Sequence, residues 1–249
     1  MKYFFLIILF SFSICAKSQK TIHVKQPGSL ASMLGSSITS VENLVVSGNI
    51  NDKDMMVLAK MVREAKLREI DLGGCYLSSG RIGGDDDYNF CETKLQSFIL
   101  PQNTYTINDF MFNNCYSLRI VRAPNKLKVI GKYAFVNTIL ESLDLVSENI
   151  MDGAFVGVFR QEVKIPEGVV YIGCNAFENT RKAILPKSIK SIGLSAFEDD
   201  AVLYLSSINP PLIVKCGFNC KYKVFIPKNS YSNYWSTEWS KHELIEKSE

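Results

Sequence analysis

Side chains that commonly carry proton transfer or hold transition metals are scarce in this chain of 249 residues. Its only two histidines, His23 and His242, lie in opposite terminal segments. A histidine-based catalytic triad, a zinc site or a histidine general base would have to be built from these two. The sequence also lacks the GxGxxG, P-loop and GxSxG motifs. It therefore predicts a protein that is not an enzyme, with no catalytic residues, no cofactor and no metal site.

Cysteine side chains could form disulfides if the chain reaches an oxidising compartment. Cys216 and Cys220 are separated by three residues and could pair there, although an unpaired state is equally open. Cys75 and Cys91 flank the irregular segment 78–90 and could close it in the same way. Two cysteines inside repeated segments are predicted to be small buried hydrophobic side chains: Cys115 and Cys174.

An acidic loop lies between Cys75 and Cys91. Gly83 and Gly84 precede three adjacent carboxylates, Asp85 to Asp87, and carboxylates in a glycine-rich loop could hold a calcium ion. These three lack the alternating ligand spacing of known calcium loops. We therefore predict a solvated loop, and no metal.

The first residues read as a targeting segment. Residues 3–14 form an almost unbroken apolar run, too short for an ordinary membrane-spanning helix, and Ala16 and Ser18 supply small residues before a cut at Gln19. Lipid attachment at Cys15 is the alternative, but it requires a small residue where Ile14 stands. The sequence predicts a signal peptide at residues 1–18 and an exported chain without a membrane span.

The net charge argues against nucleic acid as a partner. The whole chain carries +3, and loss of the two lysines in residues 1–18 leaves about +1. A nearly neutral protein has no electrostatic footprint for nucleic acid or for an anionic membrane.

The strongest feature is an internal repeat, Ile-Gly-x-x-Ala-Phe. Its final phenylalanines are separated by 23, 20, 22 and 20 residues. Three copies are complete and two, at Ile107 and Ile150, are degenerate. The five phenylalanines are Phe112, Phe135, Phe155, Phe177 and Phe197. A period of this length predicts a solenoid.

A short apolar segment closed by proline precedes most copies. Alternating apolar residues predict a strand with one buried face, and the proline ends the ladder because it has no N–H. In four copies the isoleucine follows the proline by six residues. The prolines are Pro101, Pro124, Pro166, Pro186 and, after the last strand, Pro227.

Each repeated residue type has a physical role in such a coil. Glycine allows a backbone geometry or close approach that a Cβ would forbid. Alanine lets neighbouring coils approach, and phenylalanine fills the interior by stacking on the phenylalanine of the next coil. One coil cannot bury its own apolar face, so stability comes from stacking between neighbours.

The unit LP-x5-IG-x2-AF resembles the BspA-type leucine-rich repeat, over roughly residues 67–227. This resemblance implies an exported interaction protein of a kind found on bacterial cell surfaces and in some parasitic protists. It implies an α/β solenoid with a parallel sheet on one face and short helical turns or loops opposite. The copy from Leu143 to Phe155 departs from the pattern, because it lacks the proline and is two residues short.

Solenoid ends need caps, and both ends of this chain have distinctive sequences. Residues 19–66 are predicted as an N-terminal capping region with a helix that begins at Asn51 or Asp52. Residues 67–205 carry the repeats, and residues 206–249 carry the last strand and an aromatic C-terminal cap. The aromatic residues of this cap are Tyr231, Tyr234, Trp235 and Trp239.

Strand alternation also predicts a partner-binding face. Side chains two and four residues before each closing position should point outward. They carry mixed charge at the middle of the sheet and form an exposed apolar patch towards its C-terminal end. The predicted face comprises Ile99, Arg122, Asp144, Lys164, Ile184, Val202, Tyr204 and Phe225.

These observations predict a secreted or surface-displayed adhesion or recognition module for a host or cell-surface protein. A glycan-binding accessory protein of the cell envelope, using exposed tyrosine and tryptophan, is the alternative. An enzyme would require two carboxylates that converge in a cleft, and nothing in the sequence places such a pair.

Overall fold

The structure, a computed structural model, describes residues 19–83, 88–216 and 220–247. The predicted signal peptide, with Cys15, and the aspartates at 85–87 lie outside the described residues. No helix within the described ranges has the length and apolarity that a bilayer crossing needs.

Two five-stranded parallel sheets, which we call the front sheets, contain the strands that proline closes in the sequence. The N-terminal front sheet has the order β1-β2-β3-β5-β7 and the C-terminal front sheet has the order β10-β12-β14-β16-β17. The first comprises β1 (Gln19–Val24), β2 (Asn43–Ile50), β3 (Glu69–Leu77), β5 (Ser97–Ile99) and β7 (Ile120–Arg122). The second comprises β10 (Val163–Lys164), β12 (Lys182–Ile184), β14 (Val202–Tyr204), β16 (Lys223–Ile226) and β17 (Glu243–Glu246).

A second ladder, the back sheet, joins seven parallel strands in the order β15-β13-β11-β9-β8-β6-β4. We expected only loops or helical turns opposite a single sheet, and this expectation is wrong because a second sheet lies there. These strands contain two to four residues each, which is too short for alternation to reveal them in the sequence. They are β4 (Arg81–Ile82), β6 (Thr106–Ile107), β8 (Leu127–Ile130), β9 (Ser147–Ile150), β11 (Tyr171–Ile172), β13 (Ser191–Gly193) and β15 (Leu212–Val214).

The chain is thus an α/β repeat solenoid with parallel sheets, and its core contains a column of phenylalanine rings. Phe112, Phe135, Phe155, Phe177 and Phe197 stack with centroid distances of 5.1–5.6 Å and interplanar angles of 17° or less. Phe90 extends the column by one ring, 5.9 Å from Phe112. The repeat spacing hides this sixth copy, because Ile82 stands eight residues before Phe90 instead of five and asparagine replaces the alanine directly before it.

The glycines after isoleucine lie against the backbone of the preceding coil. A Cβ placed on Gly131 or Gly173 would lie 2.6 Å from the backbone nitrogen of Asp109 or Asp152, respectively. At Gly193 the corresponding contact, to the nitrogen of Cys174, would be 2.7 Å. Close approach between coils therefore explains why this position requires glycine.

We expect Gly173→Ala to lower the free energy of unfolding by about 2 kcal/mol, because the added methyl group must displace backbone of the adjacent coil. Gly73→Ala is the control, since there the nearest atom to a new Cβ is a carboxylate oxygen of Asp71 at 3.1 Å. Its cost should stay below about 1 kcal/mol. Urea denaturation measures both, and equal costs would contradict the steric explanation.

Helices occur near the two ends. They are α1 (Leu30–Leu34), α2 (Asp52–Glu64) and α3 (Tyr231–Trp235), with 3-10 turns at Gly35–Thr39 and Glu238–Lys241. Of the two predicted N-cap residues, Asn51 holds the position, and its side chain accepts the N–H groups of Lys53 and Asp54. The buried Asp54 carboxylate accepts the N–H groups of Gly28 at 2.7 Å and Leu30 at 2.9 Å, which ties the first coil to α2.

The irregular coil interrupts the front ladder. Residues 143–145 occupy the place between β7 and β10 but form no strand. Within the described residues, no backbone hydrogen bond joins them to either neighbouring strand. Leu143 and Leu145 still point into the core. The back sheet, by contrast, passes this coil without interruption through β8, β9 and β11.

Candidate interaction face

The structure brings most of the predicted face residues into register. Ile99 on β5 is paired with Arg122 on β7 in the N-terminal front sheet. In the C-terminal front sheet one column runs across four neighbouring strands through Lys164, Ile184, Tyr204 and Phe225. Val202 lies two residues before Tyr204 on β14, between Lys182 and Lys223 of the neighbouring strands. Asp144 is exposed and belongs to the interrupted coil, so it lies in no strand.

The apolar end of this column is more covered than expected. The Tyr204 and Phe225 rings stack 4.7 Å apart at 6°, and both side chains are half-buried. The Nζ atoms of Lys182 and Lys247 lie 5.4 and 5.8 Å from the centre of the Tyr204 ring. Cation–π contacts of this kind leave an aromatic pair edged by positive charge instead of an open apolar patch.

Hydrogen bonds hold both lysines in place. Lys182 Nζ lies 2.8 Å from a Glu162 carboxylate oxygen, and this hydrogen bond raises the pKa of Lys182. Lys247 Nζ donates to the Leu205 carbonyl at 2.9 Å, while burial lowers the pKa of Lys247. The positive charges beside Tyr204 are thus positioned by the fold.

A depression of about 670 Å³ opens on the front side where the ladder is interrupted. We call it the acidic cleft. Its walls come from the interrupted coil and from the strands that follow, and three predicted face residues line it. They are Asp144, Lys164 and Ile184. Nothing in the strand pattern alone indicated a cleft, but the missing proline of this copy marks its place.

The rim and the floor of the acidic cleft differ in character. Four carboxylates stand among its lining residues, Glu141, Asp144, Glu162 and Glu167, with Lys164 as the lysine among them. The floor is apolar and includes Phe159, whose ring lies 5.9 Å from Phe155 and 6.4 Å from Phe177. The cleft therefore combines negative charge at its edge with an apolar base.

The disulfide that the sequence left possible between Cys216 and Cys220 is not formed, because Cys216 is bonded to Cys174, 42 residues earlier, with a Cα–Cα distance of 5.8 Å. This separation is about two periods of the repeat, and the coil between them presents Gly193 to the Cys174 backbone. Stacking of coils, and not proximity along the chain, decides the pairing. It also corrects the expectation of Cys174 as a buried thiol.

The remaining described cysteines are free, so Cys75 and Cys91 do not pair either. Burial raises the pKa of Cys75 to about 12 and that of Cys115 to about 11. Such thiols are poor nucleophiles at neutral pH because little thiolate is present. Cys115 thus behaves as the predicted buried hydrophobic residue.

Neither histidine lies with other metal-binding side chains. His23 Nδ1 is 3.0 Å from Ser47 Oγ, and His242 Nδ1 accepts the Tyr222 N–H at 3.2 Å. Burial lowers the pKa of His242. Among the residues that the structure describes, no three His, Cys, Asp or Glu side chains form a group able to hold a metal ion.

At the C-terminal end two aromatic residues are buried and two are exposed. Tyr234 Oη donates to the Ser207 carbonyl and Trp239 Nε1 to the Pro211 carbonyl, each at 2.6 Å. Tyr231 and Trp235 stack on each other 5.6 Å apart on the surface of α3. Their exposed fractions are 42% and 56%.

Comparison with known proteins gave a match to a family model and likenesses to solved structures. The model of the BspA type leucine rich repeat region matches residues 86–204 in six copies. A solved leucine-rich repeat protein from Bacteroides ovatus is 16% identical, with 84% of this chain and 79% of that chain covered. Its TM-score of 0.26 is too low to carry an argument. No curated protein matches the chain.

Proposed function

Residues 86–204 of this chain are a region of BspA-type leucine-rich repeats, and from this premise we propose that the chain is a protein-interaction module whose binding surface is the front side of the solenoid. The observation that supports this most is the column of outward side chains on adjacent parallel strands, from Lys164 to Phe225. Parallel strands hold such side chains at a spacing of about 4.8 Å, so the surface is preorganised for a partner.

We propose a host or cell-surface protein as the partner, and secretion or surface display as the location. Proteins with this repeat are typically surface or secreted bacterial proteins. The disulfide between Cys174 and Cys216 agrees with an oxidising compartment. Residues 19–66 and 206–249 would act as caps, because α2 and α3 lie near the two ends of the repeat array.

A panel of purified extracellular-matrix proteins tests the proposed function. We expect binding to at least one protein, and a loss of tenfold or more in affinity for the double variant Tyr204→Glu/Phe225→Glu. This expectation follows because half-buried aromatic residues at the centre of an interface contribute most of its binding energy. Surface plasmon resonance would measure the affinities.

The matched control is Tyr231→Glu/Trp235→Glu, which places two charges on another stacked aromatic pair, on α3 and not on a front strand. It should bind as the unmodified chain does. Circular dichroism verifies the fold of both variants. If Tyr204→Glu/Phe225→Glu retains full affinity, the front side is not the binding surface.

The exposed Tyr231 and Trp235 rings favour a second candidate, a glycan-binding accessory protein. Aromatic rings with a free face suit the apolar side of a sugar ring. A glycan array separates the two candidates: specific glycan binding that is lost in Tyr231→Glu/Trp235→Glu, with no binding to the protein panel, would favour the glycan. We rank the protein partner first because the pair lies outside the repeat region.

A further inference from the structure

We propose that the acidic cleft binds an extended peptide segment with lysine or arginine side chains, which adds to the interrupted front ladder as a further strand. This inference rests on the proposed function and specifies the chemistry of the partner. The cleft and the interruption lie at the same place, since Leu143 and Asp144 of the interrupted coil line the cleft together with Val163 and Lys164 of β10.

The backbone at this place can form further hydrogen bonds. Elsewhere on the front side each strand pairs with the next, as β12 does with β10 and β14. Within the described chain, residues 143–145 make no backbone hydrogen bond, and none links them to β10. The unpaired edge of a parallel strand is a template for a further strand, because its N–H and C=O groups point outward. An extended peptide can satisfy these groups whatever its sequence.

The shape of the cleft suits a strand with alternating side chains. Successive side chains of a strand point to opposite sides, so every second residue of the peptide would face the floor. The floor contains Phe159, Val163 and Leu185, which accept apolar side chains. The intervening residues would point away from the floor, where the carboxylates stand.

Charge selects lysine or arginine for those positions. The Asp144 carboxylate receives a hydrogen bond from Ser142 Oγ at 2.6 Å and has no ion-pair partner among the described residues. Glu167 accepts the N–H of Lys187 at 3.2 Å and likewise lacks an ion-pair partner in the described ranges. The other two carboxylates have exposed partners, Arg119 at 4.0 Å from Glu141 and Lys182 at 2.8 Å from Glu162. A peptide cation would therefore find uncompensated negative charge at the cleft.

Synthetic peptides with the full chain provide the test. One fluorescent probe alternates lysine and valine, a second alternates glutamate and valine, and a third is the lysine probe with alternate amides N-methylated. Fluorescence anisotropy should show binding of the lysine probe, and at least tenfold weaker binding of each of the others. The affinity of the lysine probe should also fall between about 50 mM and about 500 mM salt.

Variants of the chain locate the binding. Asp144→Asn/Glu162→Gln removes two negative charges at the cleft, and Glu148→Gln/Glu198→Gln removes two elsewhere. Glu148 is a close match for Glu162, since both form ion pairs with lysine and their side chains are 48% and 47% exposed. We expect the first variant to bind the lysine probe at least tenfold more weakly than the second.

Two outcomes overturn the proposal: equal binding of the lysine and glutamate probes, or equal binding of the lysine probe by the two variants. Unreduced binding of the N-methylated probe would overturn the strand addition. The protein panel, measured on the same variants, separates this inference from the proposed function. Panel binding without lysine-probe binding would reject the cleft alone, whereas lysine-probe binding without panel binding would support the cleft and reject the matrix proteins as partners.

Discussion

Replacing Phe155 with alanine is expected to lower the free energy of unfolding by about 4 kcal/mol, the typical cost of deleting a buried aromatic ring. The Phe155 ring is fully buried at the middle of the column. It stacks on Phe135 at 5.1 Å and on Phe177 at 5.2 Å, and Phe159 touches it from the cleft. The surrounding coils are held by the ladder of the back sheet, so they cannot collapse fully into the cavity.

Urea denaturation followed by circular dichroism measures this effect. Phe110→Ala is the control, because Phe110 also stacks on a ring, that of Tyr133 at 5.4 Å, but it is 49% exposed. Its removal should cost less than about 1 kcal/mol. A cost for Phe155→Ala as small as that for Phe110→Ala would show that the phenylalanine column does not hold the coils together.

Loss of the disulfide is expected to cost about 3 kcal/mol. Cys174 and Cys216 close a loop of 42 residues, and the chain-entropy relation gives about 4 kcal/mol for a loop of this length. We expect somewhat less, because the ladders and the phenylalanine column already restrain these coils. The double variant Cys174→Ser/Cys216→Ser, or the chain treated with dithiothreitol, should unfold at lower urea concentration.

Cys220→Ser serves as the control, since Cys220 is a free and half-buried thiol. Its unfolding should respond to dithiothreitol as that of the unmodified chain does. Mass spectrometry of a non-reduced tryptic digest should recover the Cys174 and Cys216 peptides joined to each other. Recovery of a Cys216–Cys220 linkage, or no effect of reductant on unfolding, would contradict the pairing.

The fold was largely predictable because its signals are local and periodic. Alternating residues closed by proline predicted the strands that contain Phe98, Val163 and Ala183, and the Ile-Gly and Ala-Phe register predicted stacked coils. The back sheet escaped prediction because a strand such as Tyr171–Ile172 has only two residues. Its pairing depends on contacts between coils, which only the period of the repeat brings into register.

The sequence predicted the column of outward side chains at the candidate site, but it did not predict the cleft or the side-chain contacts around the column. Alternation predicted that Lys164, Ile184 and Tyr204 share a face, because this follows from strand geometry alone. The lysines over Tyr204 and the cleft beside Asp144 depend on side-chain packing and on how far a shortened coil departs from its neighbours. The disulfide does have a sequence signal, because the spacing of 42 residues between Cys174 and Cys216 is close to two repeats.

The interruption of the front ladder has a mechanical consequence. Between Arg122 and Val163 the front side lacks strand pairing, whereas the back side is bonded throughout by β8, β9 and β11. Bending that opens the front side between residues 143–145 and β10 stretches no backbone hydrogen bond that joins these two segments, but bending that opens the back side must break several. The solenoid therefore resists bending that opens the back side more than bending that opens the front side. The back sheet acts as the hinge line, and the width of the acidic cleft is the dimension that changes.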